Sequence, residues 1–355
     1  MNIKGSYKKD CIFLLKDLTG VLKEISIEEK ENLIEEGVSY SNFISKEERP
    51  SKEIENLFLK IVNEKASEIA EYISILAEKI YSKKSNGLIL VSLARAGTPY
   101  GILIKRYFKF KYNINIKHYS ISIIRGKGID FNALKYILDK NEDAKIQFID
   151  GWTGKGSIIN ELNKSINEFN YKYGYNIDSS LAVVADPAKL CDIYGTREDI
   201  CVPNSILNST VSGLISRTIL NGDYIGERDF HGAINIGYLK DQDYSEYYVN
   251  EIEKYFKKDI NIEQGEKVNI KYSKEILEKI KEEYNVKDIN KIKLSIGEAS
   301  RVLLRRKARV LVLKDKNDKE VQQLLTLARE KNIPIEICKR GDYKAIAIIA
   351  EKEEK

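Results

Sequence analysis

Apolar residues recur at the spacing of one helix face along residues 54–81. They are Ile54, Leu57, Phe58, Ile61, Ile69, Ile73, Leu76 and Ile80. This periodicity predicts a long amphipathic helix, and Ser51 is a candidate for its N-cap. We therefore expect residues 1–85 to form a helical region with loops that packs on the core of the protein. Packing is favoured over ligand binding as the role of this region.

Four short apolar runs follow, each of them ending in a loop. The runs are residues 87–91, 114–124, 145–149 and 181–185. Strands that alternate with helices predict a parallel sheet with right-handed crossovers. The loops after such strands share one edge of the sheet, and here they are residues 92–98, 125–130, 150–157 and 186–191. Residues 86–270 are therefore predicted to form an α/β domain.

A second alternation of helices and strands begins after a charged and weakly patterned stretch, with a domain boundary near residues 271–290. The pattern predicts helices at 296–306 and 321–331. It predicts strands at 309–313, 333–337 and 345–349. Residues 275–355 are therefore predicted to be a smaller, compact α/β domain.

The composition is that of a globular protein of two or three domains, with 355 residues, 43% of them hydrophobic and 32% charged. The net charge of +5 is too small to imply nucleic-acid binding by itself. No run of about 18 apolar residues predicts a membrane span, and the polar, basic residues 1–9 do not have the pattern of a secretory signal. The four cysteines lack a CxxC motif, which favours a reducing, cytoplasmic location and argues against a structural zinc site.

Positive charge is concentrated in the predicted C-terminal domain. The cluster comprises Lys291, Lys293, Arg301, Arg305, Arg306, Lys307 and Arg309, with Glu298 as the acid among them. Seven cations and one carboxylate give a local excess of +6, in a chain whose total is +5. A solvated helix face is the usual interpretation of a charge run. The one-sided excess beside a short helix-opening turn makes RNA binding at least as strong an interpretation.

The stretch from Asp150 to Ser157 carries the clearest candidate chemistry. An apolar run ends in the carboxylate of Asp150, a loop of small residues follows, and a helical pattern begins after Ser157. A strand, a small-residue loop and a helix N-terminus form a geometry that binds phosphate through backbone N–H groups. The loop is not a Walker A motif, because Gly156 stands where that motif has Ser or Thr. The alternative is an ordinary turn that only packs.

Two other loops at the same predicted edge carry cations. Arg95 stands between small residues directly after a strand, where an anion-binding guanidinium is favoured over a surface charge. Arg125 and Lys127 alternate with glycines, which indicates either a mobile electropositive loop or a plain solvated hairpin.

Taken in order, these loops resemble those of a type I phosphoribosyltransferase, with a pyrophosphate loop, a flexible loop, a loop for phosphoribosyl pyrophosphate and a late acidic loop. The whole chain more specifically resembles the phosphoribosyltransferase-like family of tellurium-resistance gene clusters, which carries a C-terminal Pelota-type RNA-binding domain. The segments that carry the resemblance are residues 92–99, 118–130, 148–157, 195–199, 208–218, 229–233 and 294–306. The resemblance implies a type I phosphoribosyltransferase-like parallel sheet with helices on both faces. It also implies a small C-terminal α/β domain of the Pelota or L7Ae type.

This resemblance implies an enzyme that uses phosphoribosyl pyrophosphate and Mg²⁺ to make or cleave a nucleotide-like N-glycosidic bond. Asp150 would hold the ribose hydroxyls, and Arg125 and Lys127 would close over the departing diphosphate. The 5-phosphate would lie on Trp152, Thr153, Gly154, Lys155, Gly156 and Ser157. The pyrophosphate would lie on Arg95 and its loop residues Ser92, Ala94, Ala96 and Gly97. Mg²⁺ would keep several waters, and Asp186 would contribute weakly through such a water or contact the acceptor.

The C-terminal domain resembles kink-turn binders of the ribosomal L7Ae type. The implied RNA-binding residues are Gly297, Glu298, Arg301, Arg305 and Arg306. Gly297 stands where those proteins have an asparagine, so the first polar contact is missing. RNA is thus an expected partner, and the family links the chain to a stress response of the tellurium-resistance type.

The phosphate loop also departs from the transferase pattern. Gly151 replaces the second of two adjacent acids, and the loop is one residue shorter before its last hydroxyl. Ribose binding therefore depends on Asp150 alone. The alternative is a catalytically degenerate regulator that senses a nucleotide and binds RNA. The acceptor, the direction of the reaction and the oligomeric state remain open.

The same family is also labelled a cysteine protease. That function would need Cys191 or Cys201 beside His118 or His231, the only two histidines. A cysteine nucleophile needs a nearby base and a third group that orients the base. Neither the spacing nor the local sequence supports such a triad, so the protease is the least favoured of the three functions.

Overall fold

The structure is a computed structural model that describes residues 2–7, 9–26, 29–30, 32–33, 36–262 and 265–350 of the chain. The predicted regions 1–85, 86–270 and 275–355 each include a few residues outside this described part. Within the described ranges, no helix combines the length and the apolar character needed to cross a membrane.

The described part of the N-terminal region includes four short strands and one long helix. They are β1 (Ile12–Leu14), β2 (Lys16–Asp17), β3 (Glu24–Ile25), β4 (Ile44–Ser45) and α1 (Lys52–Lys83), with a 3-10 turn at Tyr40–Asn42. Ser51 caps α1 by accepting the Ile54 N–H at 3.3 Å, as the sequence indicates. The helical interpretation of residues 1–85 is too broad, because the apolar run around Phe13 has only the length of a strand. β1 instead adds a parallel edge strand to the main sheet.

The middle of the chain alternates strands and helices. Its elements are β5 (Leu88–Ala94), α2 (Thr98–Tyr112), β6 (Lys117–Ile124), β7 (Gly128–Ile129), α3 (Phe131–Asp139), β8 (Lys145–Trp152), α4 (Ser157–Tyr173), β9 (Leu181–Ala185), β10 (Ile193–Thr196), β11 (Gly232–Ala233) and α5 (Ser245–Glu253). Further 3-10 turns lie at Pro203–Ser205, Ser209–Val211 and Gly237–Gln242. All four predicted strands of this region are present.

The main sheet has the order β1-β6-β5-β8-β9-β10, and all of these neighbours are parallel. The short β7 pairs antiparallel with β6. β5 lies at the centre, with the next strand in the chain on one side and β8 on the other. Open α/β sheets bind ligands at such a reversal, outside the carboxyl ends of the strands. The loops after β5 and β8 therefore flank a crevice.

Helices cover both faces of the sheet, as the resemblance implies. α1, α2 and α5 pack on one face with side chains such as Leu90 and Val184. α3 and α4 pack on the other face with side chains such as Val91 and Phe148. Neighbouring residues of one strand thus enter two separate cores, which is typical of a parallel strand buried on both sides. The predicted α/β architecture with a parallel sheet is confirmed.

The C-terminal domain is a smaller sheet with three helices. Its elements are α6 (Tyr272–Glu283), β12 (Ile292–Leu294), α7 (Ile296–Arg305), β13 (Ala308–Leu313), α8 (Gln322–Glu330), β14 (Ile335–Ile337) and β15 (Ala345–Ile349), with 3-10 turns at Ile289–Lys291 and Lys319–Val321. The strand order is β12-β15-β13-β14, with only the last pair parallel. The sequence pattern predicts all of these helices and strands except α6 and β12.

The two domains share one hydrophobic core and a buried polar contact. Leu303 of α7 belongs to the same apolar cluster as Ile69 of α1. Beside it, the carboxylate of Asp199 accepts the backbone N–H groups of Ile296 and Lys344, each at 2.9 Å. Burial raises the pKa of Asp199 to about 7, although both hydrogen bonds act to lower it. An apolar interface in which the buried carboxylate of Asp199 is hydrogen-bonded holds the C-terminal domain in one position.

A second polar contact joins α1 to the turn before α8. Glu320 forms an ion pair with Lys65, and the two side chains are only 3% and 9% exposed. Glu320 also accepts the backbone N–H of Cys201 at 2.8 Å. Glu68 lies 2.7 Å from the Lys65 ammonium, so the lysine has a second, less buried partner. The contact therefore combines three segments that are far apart in the chain.

Replacing Glu320 by alanine should destabilise the protein by about 3 kcal/mol, because it leaves a buried ammonium and a buried N–H without their main partner. Urea unfolding measures this change. The matched control is Glu330→Ala, since Glu330 is an exposed acid on α8 and its removal should change the unfolding free energy by about 0.5 kcal/mol or less. Equal effects of the two substitutions would show that the pair does not hold the domains together.

Candidate functional site

The phosphate loop predicted from the sequence lies at the carboxyl edge of the main sheet. β8 ends at Trp152 and α4 begins at Ser157, with Gly156 as its N-cap residue. The first N–H groups of a helix have no partner inside the helix, and they point out of its N-terminus. Here they point toward the edge where β5 also ends, so the loop has the geometry of an anion site.

Asp150 lies at the mouth of this loop, partly accessible to solvent. Its carboxylate accepts the backbone N–H of Gly151 at 2.8 Å. Burial raises the pKa of Asp150 to about 6, with the charge of Arg301 opposing the rise and that of Glu298 adding to it. The group is therefore largely ionised above neutral pH and largely protonated below pH 5.

The structure gives a physical reason for the missing second acid. A Cβ atom at Gly151 would lie 2.8 Å from the Cε2 atom of Tyr100. The Tyr100 ring is fully buried and its hydroxyl donates to Asn204 at 2.7 Å, so it has no room to move. Tight packing beneath the strand thus excludes any side chain at position 151.

Asp186 does not occupy the metal-binding or acceptor position that the sequence suggests. Its side chain is completely buried, and both carboxylate oxygens are engaged by protein donors. The donors are the Thr153 hydroxyl, the N–H groups of Leu190 and Cys191, and the Arg197 guanidinium. Burial raises the pKa of Asp186 and its hydrogen bonds act to lower it. Asp186 therefore holds the phosphate loop in shape and has no lone pairs left for a metal-bound water.

Thr153 is correspondingly turned away from the crevice. Its hydroxyl donates to Asp186, and its backbone N–H donates to Ala185 O at 3.0 Å. The predicted contribution of Thr153 to phosphate binding is therefore wrong in this conformation. The half-buried residues Gly154, Lys155 and Ser157 remain the part of the loop that a ligand can reach.

The loop after β5 is more closely paired than the sequence indicates. Arg95 is buried, and its guanidinium forms an ion pair with Glu47 at 2.8 Å and donates to Ile215 O at 3.0 Å. Burial opposes ionisation of Glu47, but the charges of Arg95 and Arg305 lower its pKa to about 2. Arg95 is thus a neutralised cation at the crevice, and its partner comes from the segment before α1.

The other predicted residues of this loop divide into two groups. Ser92 is fully buried and donates to Gly97 O at 3.0 Å, with the His118 ring 2.7 Å away, so its hydroxyl faces the core and not a ligand. Ala94 and Ala96 are partly exposed at the crevice, and Gly97 precedes α2. Only the backbone of this loop is therefore placed to bind an anion.

The C-terminal domain forms the opposite wall of the crevice. A Cβ atom at Gly297 would lie 2.6 Å from the Trp152 ring, so the absence of an asparagine there reflects packing against the phosphate loop. The Arg301 guanidinium lies over the Trp152 ring, 4.4 Å from its centroid, and 3.3 Å from Glu298. A Cβ atom at Gly154 would lie 3.0 Å from the Cγ atom of Glu298. Gly297 is therefore buried against the phosphate loop in this arrangement, and Glu298 and Arg301 face the crevice. RNA binding by these residues stays a prediction.

Several charged residues lie at the rim of the crevice. Arg125, Lys127, Arg305 and Arg306 are exposed. Burial lowers the pKa of Arg305 to about 10, although part of its side chain is exposed to solvent. A side chain in a concave crevice is expected to combine these two properties. No sequence pattern predicts Glu47 and Arg217 as residues of this site. Burial and the charge of Arg95 lower the pKa of Arg217 to about 10, and it donates to the carbonyl oxygens of Tyr40 and Phe43.

The cysteines and histidines do not form a nucleophilic pair. His118 contacts Ser92 and Asp10 O, and burial lowers its pKa to about 3. His231 contacts the Ser122 hydroxyl at 2.8 Å, and burial lowers its pKa. Cys191 and Cys201 are both buried, and burial raises the pKa of both thiols. A reactive cysteine needs a depressed pKa and access, and neither of these thiols has them.

The described residues contain no group of three or more His, Cys, Asp or Glu side chains that could hold a metal ion. Two cavities, of about 590 and 540 Å³, open elsewhere on the described surface. The first lies at the amino ends of β5 and β6, and the second is lined by Glu47 itself and by its neighbours in the chain. Neither of these two cavities includes the phosphate loop.

Comparison with known proteins gives the following likenesses. A family model described as tellurite-like stress resistance cysteine protease StiP matches residues 5–253, and a model of the PELOTA RNA binding domain matches residues 271–351. The chain is 32% identical to "Cysteine protease StiP" of Acinetobacter baylyi over 97% of this chain and 94% of that protein.

Two solved structures share a distant likeness. A hypoxanthine-guanine-xanthine phosphoribosyltransferase is 11% identical, with a TM-score of 0.25, over 38% of this chain and 78% of its own. A hypoxanthine phosphoribosyltransferase from Trypanosoma cruzi, in complex with the product IMP, is 11% identical, with a TM-score of 0.24, over 50% of this chain and 91% of its own. These likenesses are too distant to assign an activity.

Iodoacetamide should alkylate native Cys338 at pH 8 well before Cys191 and Cys201, because Cys338 is partly exposed and the other two thiols are buried. Peptide mass mapping after timed quenching measures the order, and the guanidinium-unfolded chain, in which all four cysteines should react, is the control. Rapid modification of native Cys191 or Cys201 that His231→Ala suppresses would instead reveal an active thiol–imidazole pair.

Proposed function

We propose that this chain, which belongs to the family described as tellurite-like stress resistance cysteine protease StiP and carries a Pelota RNA binding domain, is a phosphoribosyltransferase-like enzyme. It would use phosphoribosyl pyrophosphate with Mg²⁺ to make or cleave a nucleotide-like N-glycosidic bond. The reaction would serve a stress response that also involves RNA.

The observation that carries this proposal is the position of Asp150. The carboxylate lies at the carboxyl end of β8, at the reversal of the strand order, and directly before the loop that opens α4. A carboxylate beside a helix N-terminus suits a ligand with vicinal hydroxyls next to a phosphate. A ribose 5-phosphate has these two groups at adjacent positions.

Other groups in the same crevice would bind the 5-phosphate and the diphosphate of such a ligand. The N–H groups at the start of α4 would hold the 5-phosphate. The diphosphate would lie between the backbone of residues 94–97 and the cations Arg217 and Arg305. Since Arg95 is already paired with Glu47, its contribution requires the ligand to compete with that carboxylate. Catalysis would come mainly from stabilising negative charge on the departing diphosphate.

Mg²⁺ would arrive on the diphosphate and supply charge neutralisation there, keeping most of its waters. Asp150 fits a role in binding this ion or the ribose, because it is half-buried and accepts only one hydrogen bond from the protein. Asp186 does not fit, because protein donors surround both of its oxygens.

A second candidate function is a nucleotide-sensing RNA-binding regulator without turnover. The packing that excludes a side chain at Gly151 and the pairing of Arg95 with Glu47 both favour it. Release of pyrophosphate from phosphoribosyl pyrophosphate would identify the enzyme, and tight binding without release would identify the regulator. The relative from Acinetobacter baylyi is named as a cysteine protease. In this chain Cys191 and Cys201 are buried and their thiol pKa values are raised, which does not support that activity in this conformation.

Replacing Asp150 by asparagine should weaken binding of phosphoribosyl pyrophosphate at least about tenfold, because a charge-assisted hydrogen bond is worth about 1.5–3 kcal/mol. Emission of Trp152, the single tryptophan, reports the titration because its ring borders the loop. Asp192→Asn is the matched control, since Asp192 is an exposed acid after β9. An unchanged affinity in the Asp150 variant would remove the central residue of the proposal.

The advantage of the parent protein over Asp150→Asn should shrink as the pH falls. The pKa of Asp150 is raised to about 6, so its ionised form is present above that pH and is lost as the pH falls through it. Calorimetric affinities at pH 7.5 and pH 5 should show the ratio of the two affinities falling from about tenfold or more to about twofold or less. Protonation of the ligand itself affects both proteins and cancels in this ratio. A ratio that stays constant would contradict the assigned role.

A further inference from the structure

The C-terminal domain is fixed over the phosphate loop, and this position restricts where RNA can bind. Helix α7 of this domain shares an apolar core with α1, and its N-terminus receives the buried carboxylate of Asp199. Gly297 and Arg301 pack on the Trp152 ring. An RNA therefore cannot reach Gly297 in this arrangement and must meet the line where the two domains join. We call this line the seam, defined by Arg125, Lys155, Asn290 and Lys293.

Two cations from separate loops converge at the seam on one neutral oxygen. The Asn290 side-chain oxygen accepts from the Arg125 guanidinium, and the Lys155 ammonium lies 3.4 Å from the same atom. Lys155 also donates to Ile289 O at 2.7 Å. Arg125 comes from the loop after β6, Lys155 from the phosphate loop and Asn290 from the C-terminal domain. Two cations of the α/β domain thus meet at one side-chain oxygen of the C-terminal domain.

The charges around this point repel one another. Burial together with the charges of Lys293 and Arg125 lowers the pKa of Lys155 to about 8, with Asp288 and Glu298 opposing the change. Burial lowers the pKa of Lys293 as well, with Arg125 and Arg306 adding to the effect. Four cations and two carboxylates therefore share this part of the surface. A bound polyanion would relieve the repulsion, and a neutral partner would not.

We propose that RNA lies across the seam, with backbone phosphates on Arg125, Lys155 and Lys293, so that both domains together form the RNA site. The Pelota domain match supplies the class of partner. Arg125 and Arg306 are exposed, and Lys155 and Lys293 are partly exposed. Several cations near one another suit the repeating phosphates of a nucleic-acid backbone. The RNA would then lie beside the phosphate loop, at the entrance of the crevice.

The test uses the full chain and a fluorescein-labelled RNA hairpin with an internal kink. Fluorescence anisotropy gives the affinity over a range of salt concentrations for the parent protein, a seam variant and a control variant. The seam variant is Arg125→Gln with Lys155→Gln and Lys293→Gln. The control variant is Lys279→Gln with Lys316→Gln and Lys339→Gln, which removes three exposed cations of the C-terminal domain away from the seam. Urea unfolding confirms that both variants are folded.

The seam variant should bind at least about tenfold more weakly at low salt. Its plot of log affinity against log salt should be shallower by about 2, since each lost phosphate contact removes about 0.7–0.9 from the slope. The control variant should keep the parent slope. Equal changes in the two variants would overturn the proposal, because they would reflect total charge alone. A parent protein that binds no RNA would overturn it as well.

A second arm separates RNA from a small phosphate ligand. Inorganic pyrophosphate is titrated into the same three proteins by calorimetry. Retained RNA binding with lost pyrophosphate binding in the seam variant would assign these cations to the small ligand and reject the RNA site. The RNA titration contains no phosphoribosyl pyrophosphate, so its result does not depend on the proposed transferase function. Failure of the Asp150 titration would leave the RNA result intact.

Discussion

The arrangement of the whole molecule depends on one buried carboxylate. Asp199 accepts the backbone N–H of Ile296, where α7 begins, and of Lys344, just before β15. Burying a carboxylate is costly, which its raised pKa of about 7 reflects, and the two N–H donors offset much of that cost. The positive end of the α7 dipole acts in the same direction. This contact sets the first turn of α7 over Trp152 and makes the C-terminal domain a wall of the crevice.

The position of the C-terminal domain changes the roles that the candidate residues can have. Cys201, a candidate nucleophile by its residue type, contributes its backbone N–H to Glu320 and belongs to the contact between the domains. Asp186, a candidate metal ligand, holds Thr153 and thereby the phosphate loop. Glu298 and Arg301, candidates for RNA recognition, face the place where a phosphorylated ligand would bind. Residues from both domains thus line the crevice, and the buried residues beneath it hold its loops in place.

The sequence predicts the order of strands, loops and helices well, because strands and helices have characteristic apolar periods and their ends carry cap or turn residues. The strand that begins at Lys145 and the Ser51 cap of α1 are examples. The partners of charged residues are harder to predict, because an ion pair between Arg95 and Glu47 joins segments that only the fold brings together. Periodicity shows that α7 has an apolar face and a charged one, but it does not show what covers each face. For that reason the sequence predicts the span of α7 but not the burial of Gly297 against Trp152.

The contact between Gly297 and Trp152 has an evolutionary consequence. A domain that is held to its neighbour by flexible linkage alone can be exchanged for a homologous domain from another protein. Here a larger residue at position 297 would collide with an indole that belongs to the other domain. A transplanted RNA-binding domain with the common asparagine at this position would fit only if the recipient had a smaller residue in place of Trp152. The two domains are therefore expected to be inherited as a unit, and hybrids between relatives should be viable only when both positions come from the same parent.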